Sequence, residues 1–256
     1  MTTLIGLSSG SAPHLGGAEL ARHTLSSGGT VVDVRAGKGH AWEAEGLAGL
    51  RDAGCEVCFV GIGDVLGEAP GRPGTGPLEQ GLPVKVFAAA GCTAPGRRAA
   101  TLRHVDALAA LVGDRGRVLV ETHHGYADVP ELVELCERAG TGVLLDTMGL
   151  ARIHPDPVAA AARLAPWTSY AQVKGFDWEA PGTSRHQPLA TSCAAATREV
   201  LAAAGALRAV TVESKAPALA EDLALLRAWY PAERPPTGTS RRAPAPSPAR
   251  ATEAPQ

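Results

Sequence analysis

RVLVETHHGYADVPELVELCERAGTGVLLDTM, residues 117–148, reads as a strand, a helix and a second strand, and each strand runs out at an acid. Val118, Leu119 and Val120 lead into Glu121; Val143, Leu144 and Leu145 lead into Asp146. Apolar runs of this kind, without polar alternation, suit strands covered on both faces, as in a parallel sheet. Between them Asp128 supplies an N-cap, Pro130 and Glu131 occupy the first helical turn, and Gly140 ends the helix. The unit is a strand, a crossover helix and a parallel strand, with both acids at the strands' C-terminal ends.

The same rhythm extends in both directions. Strand signals recur at 3–9 (TLIGLSS), 30–36 (TVVDVRA), 55–62 (CEVCFVGI), 83–90 (PVKVFAAA), 117–123, 142–148, 169–175 (SYAQVKG) and 208–214 (RAVTVES). Helical stretches separate most of them. Leu102, Val105, Leu108, Leu111 and Val112 share one helical face, and Asp156 with Pro157 opens the alanine-rich VAAAARLA. The third crossover differs: residues 64–82 hold three prolines and five glycines, so a loop with at most a short helix is expected. A doubly wound open sheet would want a glycine-rich phosphate loop after the first strand. GLSSGSAPHLGG, residues 6–17, contains neither GxGxxG nor GxxxxGK[ST]. The reading is therefore α/β: a single (β/α)8 TIM barrel over residues 1–230, with a degenerate third crossover helix.

Residues 231–256 hold seven of the chain's 20 prolines and almost no large apolar side chains, so a disordered Pro/Ala-rich tail is expected. Its four arginines and two glutamates leave +2 on the tail, and the whole-chain charge of −2 then puts −4 on the body. A broad basic face for nucleic acid is not expected. No apolar run reaches the length of about 18 residues that would mark a membrane span, and the N-terminus lacks a basic, signal-like region. A cytoplasmic protein with a small-molecule substrate is the expectation; whether it forms a homodimer is left open. The five cysteines, Cys55, Cys58, Cys92, Cys136 and Cys193, are scattered and odd in number, and the lone CxxC at 55–58 has no second pair, so ordinary packing is expected of them.

Four strands end on oxygen-bearing side chains: VLVE at Glu121, VLLD at Asp146, SYAQ at Gln172 and VTVE at Glu213. In a parallel barrel such residues would gather at the C-terminal mouth. At ETHHG, LLDT, AQVK and VES the chain resembles the xylose isomerase-like barrel superfamily, over roughly residues 3–230. That superfamily includes sugar isomerases and epimerases, inosose and 3-dehydroshikimate dehydratases, and endonuclease IV. The resemblance implies one divalent metal held by Glu121, Asp146, Gln172 and Glu213. Three carboxylates and an amide oxygen form a hard donor set, suited to Mn²⁺ or Mg²⁺ rather than Zn²⁺. TVVDVRAGKGHAW, residues 30–42, also resembles the second-strand region of the sugar isomerase-like members, with Arg35 and His40 at the mouth.

A Lewis acid on a carbonyl oxygen and a carboxylate near the adjacent C–H are what proton transfer through an enediolate requires. Glu121 and Glu213 are the expected acid/base pair. His123, with the strand parity of Glu121, and Lys174, with that of Gln172, are expected to bind substrate beside Arg35 and His40. The chain also departs from the superfamily's patterns. Gln172 stands where many relatives have histidine, Asp146-Thr-Met-Gly149 lacks the histidine of a DxxH, and Ala127 replaces a second glutamate. The function expected is a metal-dependent isomerase or epimerase of a carbohydrate-like polyhydroxy carbonyl compound. A dehydratase using the same site, and a non-catalytic barrel, are the alternatives. An endonuclease IV-like role fits poorly with the acidic body.

Overall fold

The computed structural model describes residues 2–68, 77–191 and 193–231, so the expected tail lies outside the described residues except for Pro231. Eight parallel strands close into a barrel in sequence order: β1 Leu4–Ser8, β2 Val31–Arg35, β3 Glu56–Leu66, β4 Val84–Ala88, β5 Val118–Glu121, β6 Gly142–Asp146, β7 Thr168–Val173 and β8 Ala209–Val212. β8 pairs with β1, with Leu7 against Val212, which removes both sheet edges. Each strand expected from the sequence is present. β3 runs four residues past its expected end at Ile62 and pairs Leu66 with Ala88, across a register shift between Gly61 and Val65. Among the described residues no helix joins β3 to β4, as the prolines and glycines there require.

Eight α-helices among the described residues surround the barrel: α1 Gly17–Ser26, α2 Gly46–Asp52, α3 Pro95–Val112, α4 Val129–Ala139, α5 Thr147–Ile153, α6 Pro157–Leu164, α7 Ala194–Ala203 and α8 Leu219–Trp229. α4 shows how locally each is specified. The Glu131 N–H donates to Asp128 Oδ1 at 3.0 Å, the Asp128 N–H donates to Glu131 Oε2 at 3.3 Å, and Gly140 closes the helix at φ 70°. Leu132, Leu135, Cys136 and Ala139 on its inner face pack with Val118, Val120, Val143 and Leu145, the outward residues of β5 and β6. All five cysteines are buried and unpaired in such packing.

The barrel interior is built in layers, because alternate residues along each strand point inward. The floor is apolar: Val31, Phe59, Leu119, Leu144, Tyr170 and Ala209 form a cluster of their own. Two residues further along β2, β7 and β8 come Asp33, Gln172 and Thr211, polar and buried. Two further again come Arg35, Lys174 and Glu213. Side chains change from apolar to neutral-polar to charged as the strands climb toward the mouth.

Candidate functional site at the barrel mouth

The charged layer lines a cavity of about 240 Å³ at the strands' C-terminal ends, walled by Arg35, Glu121, His123, His124, Asp146, Met148, Arg152, Lys174, His186, Glu213 and Lys215, among others. Each carboxylate in it holds a cation. Lys85 Nζ on β4 lies 2.5 Å from Glu121 Oε2 and also 4.0 Å from the Phe87 ring centroid. Lys174 Nζ, just past β7, bonds Asp146 Oδ2 and lies 2.9 Å from Glu213 Oε2. Arg35 Nη1 donates to Glu213 Oε1 at 2.6 Å. Three carboxylates therefore meet three cations in a largely buried cluster, where one unpartnered charge would cost about 3–5 kcal/mol.

The pairing fixes the charge states. Burial would raise the Glu213 carboxyl, but Lys174 and Arg35 outweigh it and hold the group down to about 2. Burial likewise opposes the Lys174 charge, and Asp146, Glu213 and Glu121 overcome it, so the ammonium stays charged well above the usual lysine range. Asp146 is further constrained as the N-cap of α5, its Oδ1 accepting the Gly149 N–H at 2.7 Å. Gly149 is required there, since a Cβ would collide with the Thr122 carbonyl oxygen.

Directly beneath lies the neutral layer. Asp33 Oδ1 accepts from Ser8 Oγ at 2.7 Å and from Gln172 Nε2 at 3.1 Å, and its Oδ2 accepts from Thr211 Oγ1 at 2.5 Å. Burial pushes this carboxyl up to about 7 against those hydrogen bonds, with Glu213 above adding to the rise.

Of the eight residues singled out from sequence, Arg35, Glu121, His123, Asp146, Lys174 and Glu213 line the cavity. Gln172 and His40 do not. Register explains Gln172: it pairs opposite Thr211, two residues below Glu213, and its amide is spent on Asp33. The convergence of four strand-end oxygens expected at the mouth is thus one short, and Lys174 takes the vacant level. His40 sits to the side, its Nδ1 3.2 Å from Ser9 Oγ. Lys85, Asp33, Arg152, His186 and Lys215 were not singled out. For Lys85 and Asp33 a signal existed, a single charge inside an apolar strand, and for Lys215 the parity of Glu213 two residues before it; Arg152 and His186 come from a helix and a loop with no pattern to mark them.

The donor set does not fit a divalent ion as it stands. Gln172, the expected fourth donor, lies a layer below the mouth with its Nε2–H given to Asp33, and the space between Asp146 and Glu213 holds an ammonium. Among the described residues no group of three or more His, Cys, Asp or Glu side chains is disposed to hold a metal.

Three histidines complete the wall. The Lys215 backbone N–H donates to His186 Nδ1 at 3.0 Å, which leaves the ring proton on Nε2, while burial, and then Lys174, keep the ring below its usual pKa. His123 Nδ1 lies 2.7 Å from the His124 carbonyl oxygen and donates to it, leaving a lone pair on Nε2. Arg152 reaches His124 Nδ1 at 3.4 Å and the Pro181 carbonyl at 2.7 Å, with no carboxylate partner among the described residues.

No family model and no curated protein matches this chain. Solved structures do. The chain is similar to the 3-keto-D-glucoside 4-epimerase YcjR of E. coli, with a TM-score of 0.62 at 15% identity over 88% of this chain and 99% of that one. It is similar to the probable 3-DHS dehydratase AsbF of Bacillus anthracis, at TM-score 0.59 and 16% identity over 88% and 98%. A xylose isomerase domain-containing protein of Salmonella typhimurium matches at TM-score 0.61 and 16% identity, over 86% and 93%. At these identities the likeness is one of fold, an eight-stranded TIM barrel.

Proposed function

We propose that this xylose isomerase-like barrel is an enzyme that moves a proton on the carbon next to a carbonyl, isomerising or epimerising a small polyhydroxy carbonyl compound. The observation that carries the reading is the mouth itself: Glu121, Asp146 and Glu213 gathered with Lys174 and Arg35 in one polar cavity, with Lys85 buried behind its wall and paired to Glu121.

The carboxylates divide their roles by how many partners each has. Both oxygens of Asp146 and both of Glu213 are engaged, and Glu213 is held too acidic to be an effective base. Glu121 has a cation on Oε2 alone and lines the cavity, so it is assigned as the base. It takes the proton; the C–H electron pair moves toward the carbonyl oxygen, where the fixed ammonium and guanidinium charges stabilise the enediolate. Return of the proton to the neighbouring carbon, with the adjacent hydroxyl's proton passing to the former carbonyl oxygen, isomerises; protonation of the opposite face by water entering the mouth epimerises. Lys174 is not assigned as a Schiff-base nucleophile, which needs a neutral amine.

A second reading has an observation of its own. Arg152 and Lys215 add two cations to the rim without carboxylate partners among the described residues, which favours a substrate carrying an anionic group. On a β-hydroxy keto acid the same enolate would expel the hydroxyl, which leaves as water on taking the proton that Glu121 removed from carbon; this is the dehydratase reading. The test is incubation in D₂O with keto sugars, polyol ketones and cyclic keto acids, followed by proton NMR. Exchange at the carbon next to the carbonyl, abolished in Glu121→Gln, is expected; a folded protein that exchanges none of these classes would sink the proposal.

A further inference from the structure

We infer that the Lys174 ammonium is a built-in cation occupying the place where the carboxylates of this mouth would otherwise gather a divalent ion, and that removing it uncovers a latent site for Mn²⁺ or Mg²⁺. The inference rests on geometry rather than on the reaction proposed above, so either can fail while the other stands.

Register carries the first part. β7 and β8 pair Gln172 with Thr211 and Val173 with Val212, so the next residue of each strand, Lys174 and Glu213, continue level with one another above the neutral layer. The residue of β7 that faces Asp146 and Glu213 is therefore the lysine. Gln172 is held down by Asp33, and its amide cannot rise to the mouth without giving up that hydrogen bond.

Charge carries the second part. Lys174 bridges Asp146 and Glu213, carboxylates from β6 and β8 on either side of it, as a small hard cation would. Lys85 and Arg35 neutralise the outer oxygens of Glu121 and Glu213. With three cations already balancing three carboxylates, a divalent ion would enter a site with no negative charge to spare, and beside an ammonium. Lys174 is only 9% exposed and Lys85 only 3%, so neither cation can swing into solvent without leaving a buried carboxylate bare. Taking away the Lys174 amine leaves a −1 pocket, with Asp146 Oδ2 and Glu213 Oε2 freed and facing the same space. Glutamine at 174 would add a carbonyl oxygen there, and histidine an imidazole nitrogen.

The experiment compares the full chain with Lys174→Gln and Lys174→His. Each is loaded with Mn²⁺, desalted, and read by metal content and by Tm with and without EDTA, with circular dichroism confirming the fold. The wild type is expected to keep no stoichiometric manganese and to melt at the same temperature in EDTA. Both variants are expected to keep about one equivalent and to gain Tm in Mn²⁺, as any ligand bound by the folded state requires. Asp146→Asn added to Lys174→His should abolish the gain. A wild type that retains about one equivalent, with a Tm lowered by EDTA, overturns the inference, since tight binding by a native site is a folding contribution that chelation removes. Folded Lys174→Gln and Lys174→His that both fail to bind overturn it as well. If neither variant folds, the wild-type measurement still decides.

Discussion

Asp33 and Glu213 are neighbours inside one barrel, both buried, and their acidities diverge: one is pushed up to about 7, the other held down to about 2. Depth does not separate them, because burial is the largest influence on each and raises both. Their partners do. Asp33 is surrounded by the hydroxyls of Ser8 and Thr211 and the amide of Gln172, which stabilise a negative charge only weakly. Glu213 sits between an ammonium and a guanidinium. A carboxylate in this interior is ionised where a full positive charge meets it, and shares a proton near neutrality where only dipoles do.

The comparison breaks most completely at Lys174. Lys174→Met keeps the chain's volume and removes the charge, leaving Asp146 and Glu213 to face each other. A loss of about 3–5 kcal/mol at pH 7 is expected in chemical denaturation. The loss should shrink at acidic pH, where the two carboxyls can share a proton. A variant as stable as wild type at pH 7 in metal-free buffer would mean that the pair is not held by this lysine.

The two layers should also give stability opposite dependences on pH. Glu213 has a folded pKa below its unfolded value of 4.5, so its stabilisation is present above that value and is lost as pH falls toward about 2. Asp33 has a folded pKa above its unfolded value of 3.8, so the fold binds that proton more tightly and loses stability as pH rises from there to about 7. The linked loss has an upper bound of about 4 kcal/mol. Asp33→Asn should flatten the stability profile between pH 4 and 7, and Glu213→Gln should flatten it below pH 4.5, each followed by urea unfolding across pH. Unchanged slopes in Asp33→Asn would show that this carboxyl stays ionised.

Much of this arrangement was legible in the chain. The eight strands, the barrel and the lack of a third crossover helix among the described residues follow from apolar runs, caps and Pro/Gly density, all of which are local. So are the acids at the ends of β5 and β6. The position of Gln172, a layer below the mouth, was not legible in the same way. A strand end read from sequence is uncertain by a residue or two, and in a staggered barrel two residues amount to a whole layer. SYAQVKG contains both Gln172 and Lys174 on the same face, and only the pairing with Thr211 tells which of them stands at the mouth. Lys85 could have been found, since a lysine inside PVKVFAAA must meet an acid or go unpaired. Lys215 could have been found too, by its parity with Glu213; Arg152 and His186 could not, because they arrive from segments whose spatial relation to the strands no periodicity encodes.

The smallest test acts on one hydrogen bond within the neutral layer. Thr211→Val keeps the β-branched shape and removes the hydroxyl that donates to Asp33 Oδ2 at 2.5 Å. That bond favours the ionised form, so without it Asp33 should titrate above about 7 and the window of stability loss should extend to higher pH. Above that window the cost should be about 1.5–3 kcal/mol, the range for a hydrogen bond to a charged group, and near pH 5, where Asp33 keeps its proton, about 1 kcal/mol. Glu213 takes no hydrogen bond from Thr211, so the acidic limb of the profile should stay where it is. A cost that is equal at pH 5 and pH 8.5 would show that Asp33 does not change its charge between them, and the contrast between the two layers would then be one of packing alone.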